Sequence, residues 1–159
     1  MEYSQAKKLP LSFLATLGLR GVSLGRGERA VAIPYFGTSG DEIAVRYRLS
    51  MTGDQRFRWR TGSKVALYGL QRLAKAREGG WIIVCEGESD TQTAWFHNLP
   101  CIGLPGAGTF REDWAAHFEG FDRIFVADEG DDGAVAIKRW IAKSSIRDRV
   151  HIFTLDGVK

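Results

Sequence analysis

Short apolar runs alternate with helical patterns throughout the second half of the chain. The strand-like runs are residues 81–85, 101–104, 123–127 and 150–154. Helical patterns begin near residue 90 and cover about 110–119 and 133–144. This β-α-β-α-β-α-β order is typical of a parallel sheet covered by helices. The sequence therefore predicts an α/β fold, with a small parallel sheet and helices on both of its faces.

Acidic residues stand at the ends of two of these strands. Glu86 comes directly after residues 81–85, and Asp128 comes directly after residues 123–127. Because ligands collect at the carboxyl ends of parallel strands, we expect these two side chains to lie at one edge of the sheet. Clustered carboxylates repel one another, and Mg²⁺ or Mn²⁺ relieves that repulsion by binding their oxygens. The pattern predicts a divalent-metal site.

Other acids lie on the same two predicted loops, and each has a simpler interpretation. Asp90 could cap the following helix or support the loop that carries Glu86. Glu88 is expected on the solvated surface. Asp131 and Asp132 could join the metal site, or they could be first-turn acids that the helix dipole favours.

The first part of the chain is basic. Residues 1–64 hold 11 Lys or Arg and 5 Asp or Glu, whereas residues 65–159 hold 11 and 14. Polar and apolar side chains alternate in EIAVRYRLS (42–50) and in RFRWR (56–60), which predicts a small antiparallel sheet with an apolar back and a basic front. Phe57 and Trp59 are expected in the core rather than as platforms for stacked bases. The expected phosphate-binding residues are Arg46, Arg48, Arg56, Arg58, Arg60 and Lys64. A solvated charged face is the alternative.

Composition and cysteine content exclude several classes of protein. With 44% apolar and 26% charged residues, the chain has the composition of a globular protein. We expect no membrane span, because no apolar run is long enough, and no signal peptide. Cys85 and Cys101 lie in apolar runs and are expected to be reduced thiols of a cytoplasmic protein. The sequence has no cluster of Cys and His residues, so we expect no zinc site.

The acidic segments resemble those of the Toprim domain. EGESD followed by a helix, and then a strand with an acid-rich loop before Gly133, are similar to the Glu and D-x-D motifs of that family. The family includes DnaG-type bacterial and phage primases, type IA and II topoisomerases and some nucleases. Glu86 matches the Glu and Asp128 matches the first Asp. Gly130 replaces the second Asp, and either Asp131 or Glu129 would supply that ligand from a shifted position.

The upstream segments narrow the resemblance to primases. IPYFGTSGDEIAVRYRLS, FRWRTGSK and LYGL resemble the small subdomain that precedes Toprim in primases and that topoisomerases lack. The resemblance extends over roughly residues 30–155. It implies a basic N-terminal subdomain at 1–78 and a Toprim domain at 79–159. It also implies that the sequence is a fragment of the RNA polymerase core of a longer primase or primase-helicase.

This resemblance implies metal-dependent RNA primer synthesis. Glu86 and Asp128 would be the catalytic residues and main ligands of Mg²⁺ or Mn²⁺, Asp131 a third ligand, and Asp90 a supporting residue. The implied partners are single-stranded DNA, ribonucleoside triphosphates and a helicase in cis or in trans. Two other functions stay open. One is a Toprim nuclease, which uses water as its nucleophile. The other is a non-catalytic nucleic-acid-binding module with a degenerate metal site, which Gly130 favours.

Overall fold

A computed structural model of the chain describes residues 2–53, 55–128 and 132–154. Of Arg26, Ala107 and residues 132–134 only the backbone is described. The chain forms two compact units, Met1–Ala66 and Leu67–Lys159. This division lies twelve residues before the 78/79 boundary that the sequence predicts. The difference arises because Leu67, Leu70 and Leu73 pack into the hydrophobic core of the second unit.

The first unit contains two short helices and a four-stranded antiparallel sheet. The helices are α1 (Glu2–Lys7) and α2 (Leu11–Thr16). The strands are β1 (Arg20–Ser23), β2 (Arg29–Phe36), β3 (Glu42–Arg48) and β4 (Phe57–Trp59), in the spatial order β1-β2-β3-β4. Strand β1 overlaps the glycine-rich stretch of residues 21–30, whose composition alone predicts a turn or loop. It forms because the backbone of that stretch pairs with the apolar β2.

The register of β3 and β4 contradicts the predicted basic front. Arg46 lies opposite Trp59, and Arg48 lies opposite Phe57. Residues directly opposite each other in an antiparallel pair share a face, so two arginines lie on the face of the aromatic side chains. Arg58 lies opposite Tyr47, on the other face. The arginines are therefore divided between the two faces. Alternation within each strand is correct, but it cannot say which residues of the two strands are partners.

The second unit is the predicted α/β layer. Its strands are β5 (Trp81–Glu86), β6 (Cys101–Leu104), β7 (Arg123–Asp128) and β8 (Val150–Thr154), all parallel and in the order β6-β5-β7-β8. Its helices are α3 (Leu73–Arg77), α4 (Glu88–Phe96) and α5 (Asp132–Ile141). They flank a core built from strand residues such as Ile82, Ile102 and Ile124. The predicted α/β class and the parallel sheet are confirmed.

The segment between β6 and β7 differs from its predicted α-helix. Residues Glu112–Phe118 form a 3₁₀ helix instead. Thr109 and Glu112 have the spacing of a capping box, which would start that α-helix, but the pair does not form. The Thr109 hydroxyl donates to the carbonyl of Gly106 at 2.6 Å, and Glu112 accepts hydrogen bonds from Ser145. Each side chain therefore has a partner other than the one that would start an α-helix.

Among the residues that the structure describes, no helix is long and apolar enough to cross a membrane.

Candidate active site

Glu86 and Asp128 end two neighbouring strands of the parallel sheet. Glu86 is the last residue of β5 and Asp128 is the last residue of β7. The two strands pair directly, with Val84 opposite Val126. Counting two residues onward from that pair reaches Glu86 on one strand and Asp128 on the other. The structure thus places both carboxylates at the same edge of the sheet and at the same level, as the topology predicts.

The turn after Glu86 depends on a glycine. Gly87 has a φ of 86°, which is a left-handed conformation that other residues rarely adopt, and it caps the start of α4. Glu88 is the first residue of the helix and is only 2% exposed. The expectation that Glu88 is solvated is therefore wrong. The helix turns it inward, because α4 begins two residues earlier than the sequence suggests.

Asp90 borders this turn from inside the helix. It lies in the first turn of α4, and Gly87 holds the cap position, so the interpretation of Asp90 as the N-cap is wrong. A Cβ atom placed on Gly87 would lie 4.0 Å from the Oδ2 atom of Asp90. Asp90 is exposed and stands beside the backbone that follows Glu86. The role of Asp90 in supporting the turn stays a prediction.

The turn at Gly87 also packs closely against β6. The Thr91 hydroxyl donates to the carbonyl of Gly87 at 2.8 Å. Gly103 on β6 leaves the space for this arrangement. A Cβ atom there would lie 2.5 Å from the Thr91 Oγ1 atom and 3.1 Å from the Gly87 carbonyl oxygen. The backbone that follows Glu86 is therefore fixed by close packing between α4 and β6.

Asp128 has a cationic partner that the sequence analysis missed. The ammonium group of Lys138 forms an ion pair with Asp128 Oδ2. The Asp128 side chain is 10% exposed and that of Lys138 is 46% exposed. Lys138 lies on α5, where lysine is an ordinary surface residue of a helix. No feature of the sequence distinguishes it from the neighbouring lysines and arginines.

Two of the predicted phosphate-binding arginines have partners within their own unit. The guanidinium of Arg46 lies over the ring of Phe57, 4.0 Å from the ring centre. Arg48 is only 7% exposed and donates to the carbonyls of Ser50, at 2.8 Å, and Met51, at 3.2 Å. Both residues are half-buried or buried beside aromatic side chains. Arg48 therefore stabilises the segment that follows β3, and its guanidinium is not exposed for a ligand.

The remaining basic residues lie on the surface of the first unit. Arg58 forms an ion pair with Glu28 at 2.7 Å, and Arg60 forms one with Glu42 at 2.9 Å. Arg56 and Lys64 are exposed. A phosphate that approaches Arg58 or Arg60 competes with a carboxylate that is already bound. The predicted set is therefore a mixture of accessible and engaged cations rather than one continuous surface.

The chain has a protein relative from a phage. It is 27% identical over 124 residues to the gene 57 protein of Mycobacterium phage D29, which covers 76% of this chain and 80% of that protein. No model of a protein family matches the sequence.

Solved structures show what fold the chain has. The RNA polymerase domain of Mycobacterium tuberculosis primase DnaG matches with a TM-score of 0.78 and 10% identity, over 99% of this chain and 68% of that one. The primase fragment of the bacteriophage T7 primase-helicase matches with a TM-score of 0.73 and 18% identity. A DnaG primase catalytic domain bound to single-stranded DNA matches with a TM-score of 0.74 and 13% identity. This is the fold of the DnaG-type primase catalytic core.

The match to the primase fold extends over nearly the whole chain but only part of the solved proteins. The chain spans 64% of the T7 fragment, for which 96% of this chain is matched. It spans the same share of the DNA-bound catalytic domain, with 99% of this chain matched. The resemblance to DnaG-type primases that the sequence indicates is confirmed at the level of the fold.

The acids of this primase fold have the chemistry that a divalent cation requires. Glu86 and Asp128 present carboxylate oxygens at one edge of the sheet, and such oxygens are the ligands of Mg²⁺ and Mn²⁺. Over residues 2–53, 55–128 and 132–154, no group of three or more Asp, Glu, His or Cys is arranged to hold a metal ion. Glu129, Gly130 and Asp131 lie outside the described residues. The described site thus offers two acids at the ends of adjacent strands, with Asp131 as a predicted third.

Proposed function

We propose that the chain is the nucleotidyl-transferring core of a DNA primase, which makes RNA primers on single-stranded DNA. The observation that carries this proposal is the position of Glu86 and Asp128. They end adjacent parallel strands in a fold shared with solved primase cores. The phage relative supports a role in phage or mobile-element replication.

The reaction is the attack of a primer 3′-hydroxyl on the α-phosphate of a ribonucleoside triphosphate, which releases pyrophosphate. Catalysis of such a transfer depends on positioning and on electrostatic stabilisation. Glu86 and Asp128 supply carboxylate oxygens at the sheet edge, and Gly87, Thr91 and β6 hold the backbone that follows Glu86 in place. That rigidity suits a site that must keep two carboxylates at close quarters.

The cofactor in this proposal is Mg²⁺ or Mn²⁺. Glu86 and Asp128 would hold it, with Asp131 as a third ligand and Asp90 in support. When bound, the ion neutralises charge on the triphosphate and orients it for attack. Lys138 neutralises Asp128 and therefore competes with a cation for that carboxylate.

The structural neighbours support a proposal for the template and for the protein partner. One solved neighbour is a DnaG catalytic domain bound to single-stranded DNA, and another comes from a primase-helicase. We extend both associations to this chain, with a helicase in cis or in trans. In the first unit, exposed Arg56 and Lys64 are the readiest phosphate contacts, and Arg58 and Arg60 would join them by exchanging Glu28 and Glu42 for phosphate. Such contacts do not depend on base sequence.

A primer-synthesis assay tests the proposal. The chain is incubated with single-stranded DNA, labelled ribonucleotides and Mn²⁺, beside Glu86→Gln and the control Glu78→Gln. Glu78 is an exposed acid at the end of α3, so its substitution makes the same change of charge elsewhere. We expect oligoribonucleotides from the wild type and the control and none from Glu86→Gln. Shortened DNA would instead indicate a nuclease. DNA binding without any product would indicate a non-catalytic module.

A further inference from the structure

The two cysteines of the chain lie in direct contact. Cys85 and Cys101 are the only cysteines in the sequence, and their sulfur atoms are 3.3 Å apart. They belong to neighbouring parallel strands, since β5 pairs with β6 and Cys101 lies opposite Ile83. The Cys101 thiol donates a hydrogen bond to the Cys85 sulfur. Two residues that are 16 positions apart in sequence are thus in contact, and one of them, Cys85, directly precedes Glu86.

We propose that Cys85 and Cys101 form an oxidisable dithiol, a site of reversible disulfide formation that acts on the candidate active site. The oxidant is a peroxide. The Cys85 thiolate attacks one peroxide oxygen and forms a sulfenic acid, while the other oxygen leaves as hydroxide. The Cys101 sulfur then attacks that sulfur while its proton passes to the departing sulfenic oxygen, a sulfur–sulfur bond forms, and water leaves. Overall, two thiols and one hydrogen peroxide give one disulfide and two waters.

The surroundings assign different roles to the two thiols. Cys85 is partly exposed, whereas Cys101 is buried. The hydrogen bond to Cys85 and burial both raise the pKa of the Cys101 thiol. Cys101 therefore stays a proton donor, and its bond to Cys85 leaves the Cys85 sulfur as the acceptor. A peroxide that enters from solvent meets Cys85 first, and the buried Cys101 is in place to resolve the sulfenic acid.

Closing the bond must move the end of β5. A disulfide holds its sulfur atoms about 2.05 Å apart, so these two must approach by roughly 1.2 Å. Cys85 lies opposite Gly103, where the packing leaves no room even for a Cβ atom beside Thr91. Because the same contacts confine Gly103 on β6 and the Gly87 turn, the adjustment falls on Cys85 and on Glu86, which lies between Cys85 and that turn. The functional consequence of this shift rests on the proposed role of Glu86.

Peroxide treatment of the whole chain tests the dithiol. After treatment, free thiols are alkylated under denaturing conditions and the intact mass is measured. We expect the wild type to lose two hydrogen atoms and to take up no alkylating reagent, and dithiothreitol to restore two reactive thiols. Cys101→Ala should take up peroxide at Cys85 without forming an internal bond. Two freely alkylated thiols in the oxidised wild type, or disulfide-linked dimers in place of the internal bond, would overturn the proposal.

Two further readouts separate this proposal from the function of the site. The amide NMR signals of Glu86 and Gly87 should shift on oxidation of the wild type and stay fixed in Cys101→Ala. Mn²⁺ affinity should fall about tenfold on oxidation and recover on reduction, as expected when a metal ligand is displaced. Absence of Mn²⁺ binding in both redox states would count against the proposed function and leave the dithiol standing. A disulfide that forms without moving the two amide signals would overturn its action on the site.

Discussion

Lys138 forms an ion pair with Asp128, the residue that ends β7 at the carboxyl edge of the parallel sheet. A lysine ammonium and a divalent cation compete for the same carboxylate oxygen. The pair therefore sets a condition on any cation at this edge, because the cation must displace or share the ammonium group.

Removing the ammonium group should strengthen metal binding. For Lys138→Ala we expect Mn²⁺ affinity to rise several-fold, because the cation no longer competes with an ammonium group for Asp128. Lys143→Ala is the control, since it removes an exposed lysine just beyond α5 and makes the same change of net charge. Titration calorimetry at constant ionic strength measures both variants. Equal affinities in Lys138→Ala and the wild type would show that the ion pair does not compete with the metal.

The packing of β6 against the turn after Glu86 should tolerate no added atom. Gly103→Ala should lower the free energy of unfolding by about 1–3 kcal/mol, because its Cβ would overlap the Thr91 hydroxyl and press on the Gly87 carbonyl. Gly108→Ala should change it by less than about 0.5 kcal/mol, since nothing lies within 4 Å of a Cβ atom there. Denaturant unfolding measures both. Similar stabilities for the two variants would mean that β6 has room to move.

Two arginines from the predicted basic front should behave differently. Arg48→Ala should reduce stability by about 1–3 kcal/mol, because the carbonyls of Ser50 and Met51 lose their donor in a part-buried position. Arg56→Ala should leave stability nearly unchanged and weaken binding to single-stranded DNA, with a salt slope reduced by about one. Chemical denaturation and fluorescence anisotropy at several salt concentrations separate the two effects. If Arg56→Ala lost stability while Arg48→Ala kept its stability and bound DNA more weakly, the register of β3 and β4 would be contradicted.

Glu112 should make stability depend on acid pH. Hydrogen bonds from the Ser145 backbone N–H, at 3.0 Å, and from its hydroxyl, at 2.8 Å, lower the pKa of the Glu112 carboxyl below its ordinary value of 4.5. A lowered folded-state pKa gives stability that is present above pH 4.5 and is lost as the pH falls through the folded value. Glu112→Gln should thus be less stable than the wild type near pH 7, and the difference should narrow below pH 4.5.

Ser145→Ala provides the intermediate case for that dependence. It removes the hydroxyl donor but keeps the backbone donor, so its stability near pH 7 should lie between those of the wild type and Glu112→Gln. Thermal unfolding measured from pH 3 to pH 7 follows all three proteins. A Glu112→Gln protein that keeps the full pH dependence of the wild type would contradict the assignment.

The sequence predicts the second unit well because its pattern is governed by burial. Strands such as β5 and β7 are apolar runs with acids at their ends, and a parallel sheet gives them few alternatives. Glu86 and Asp128 follow from that logic. Glu88 does not, because its burial depends on where α4 begins, and that start is set by the positive φ of Gly87 rather than by any helical pattern.

The first unit was harder to predict because its arrangement depends on register. Alternation assigns Arg46 and Arg58 to one side of their own strands, but only pairing decides whether those sides coincide. The same holds for contacts made through space. The ion pair of Lys138 and the contact between Cys85 and Cys101 join residues that have no common pattern in the sequence.

Calorimetric titration with Mn²⁺ tests the central claim most directly, since it asks whether Glu86 and Asp128 hold a divalent cation together. The wild type and the control Glu78→Gln should bind Mn²⁺ with equal affinity. Glu86→Gln and Asp128→Asn should each bind at least about tenfold more weakly. If the wild type binds no Mn²⁺ at millimolar concentration, or if both site variants bind as the wild type does, the sheet edge is not a metal site and the account is contradicted.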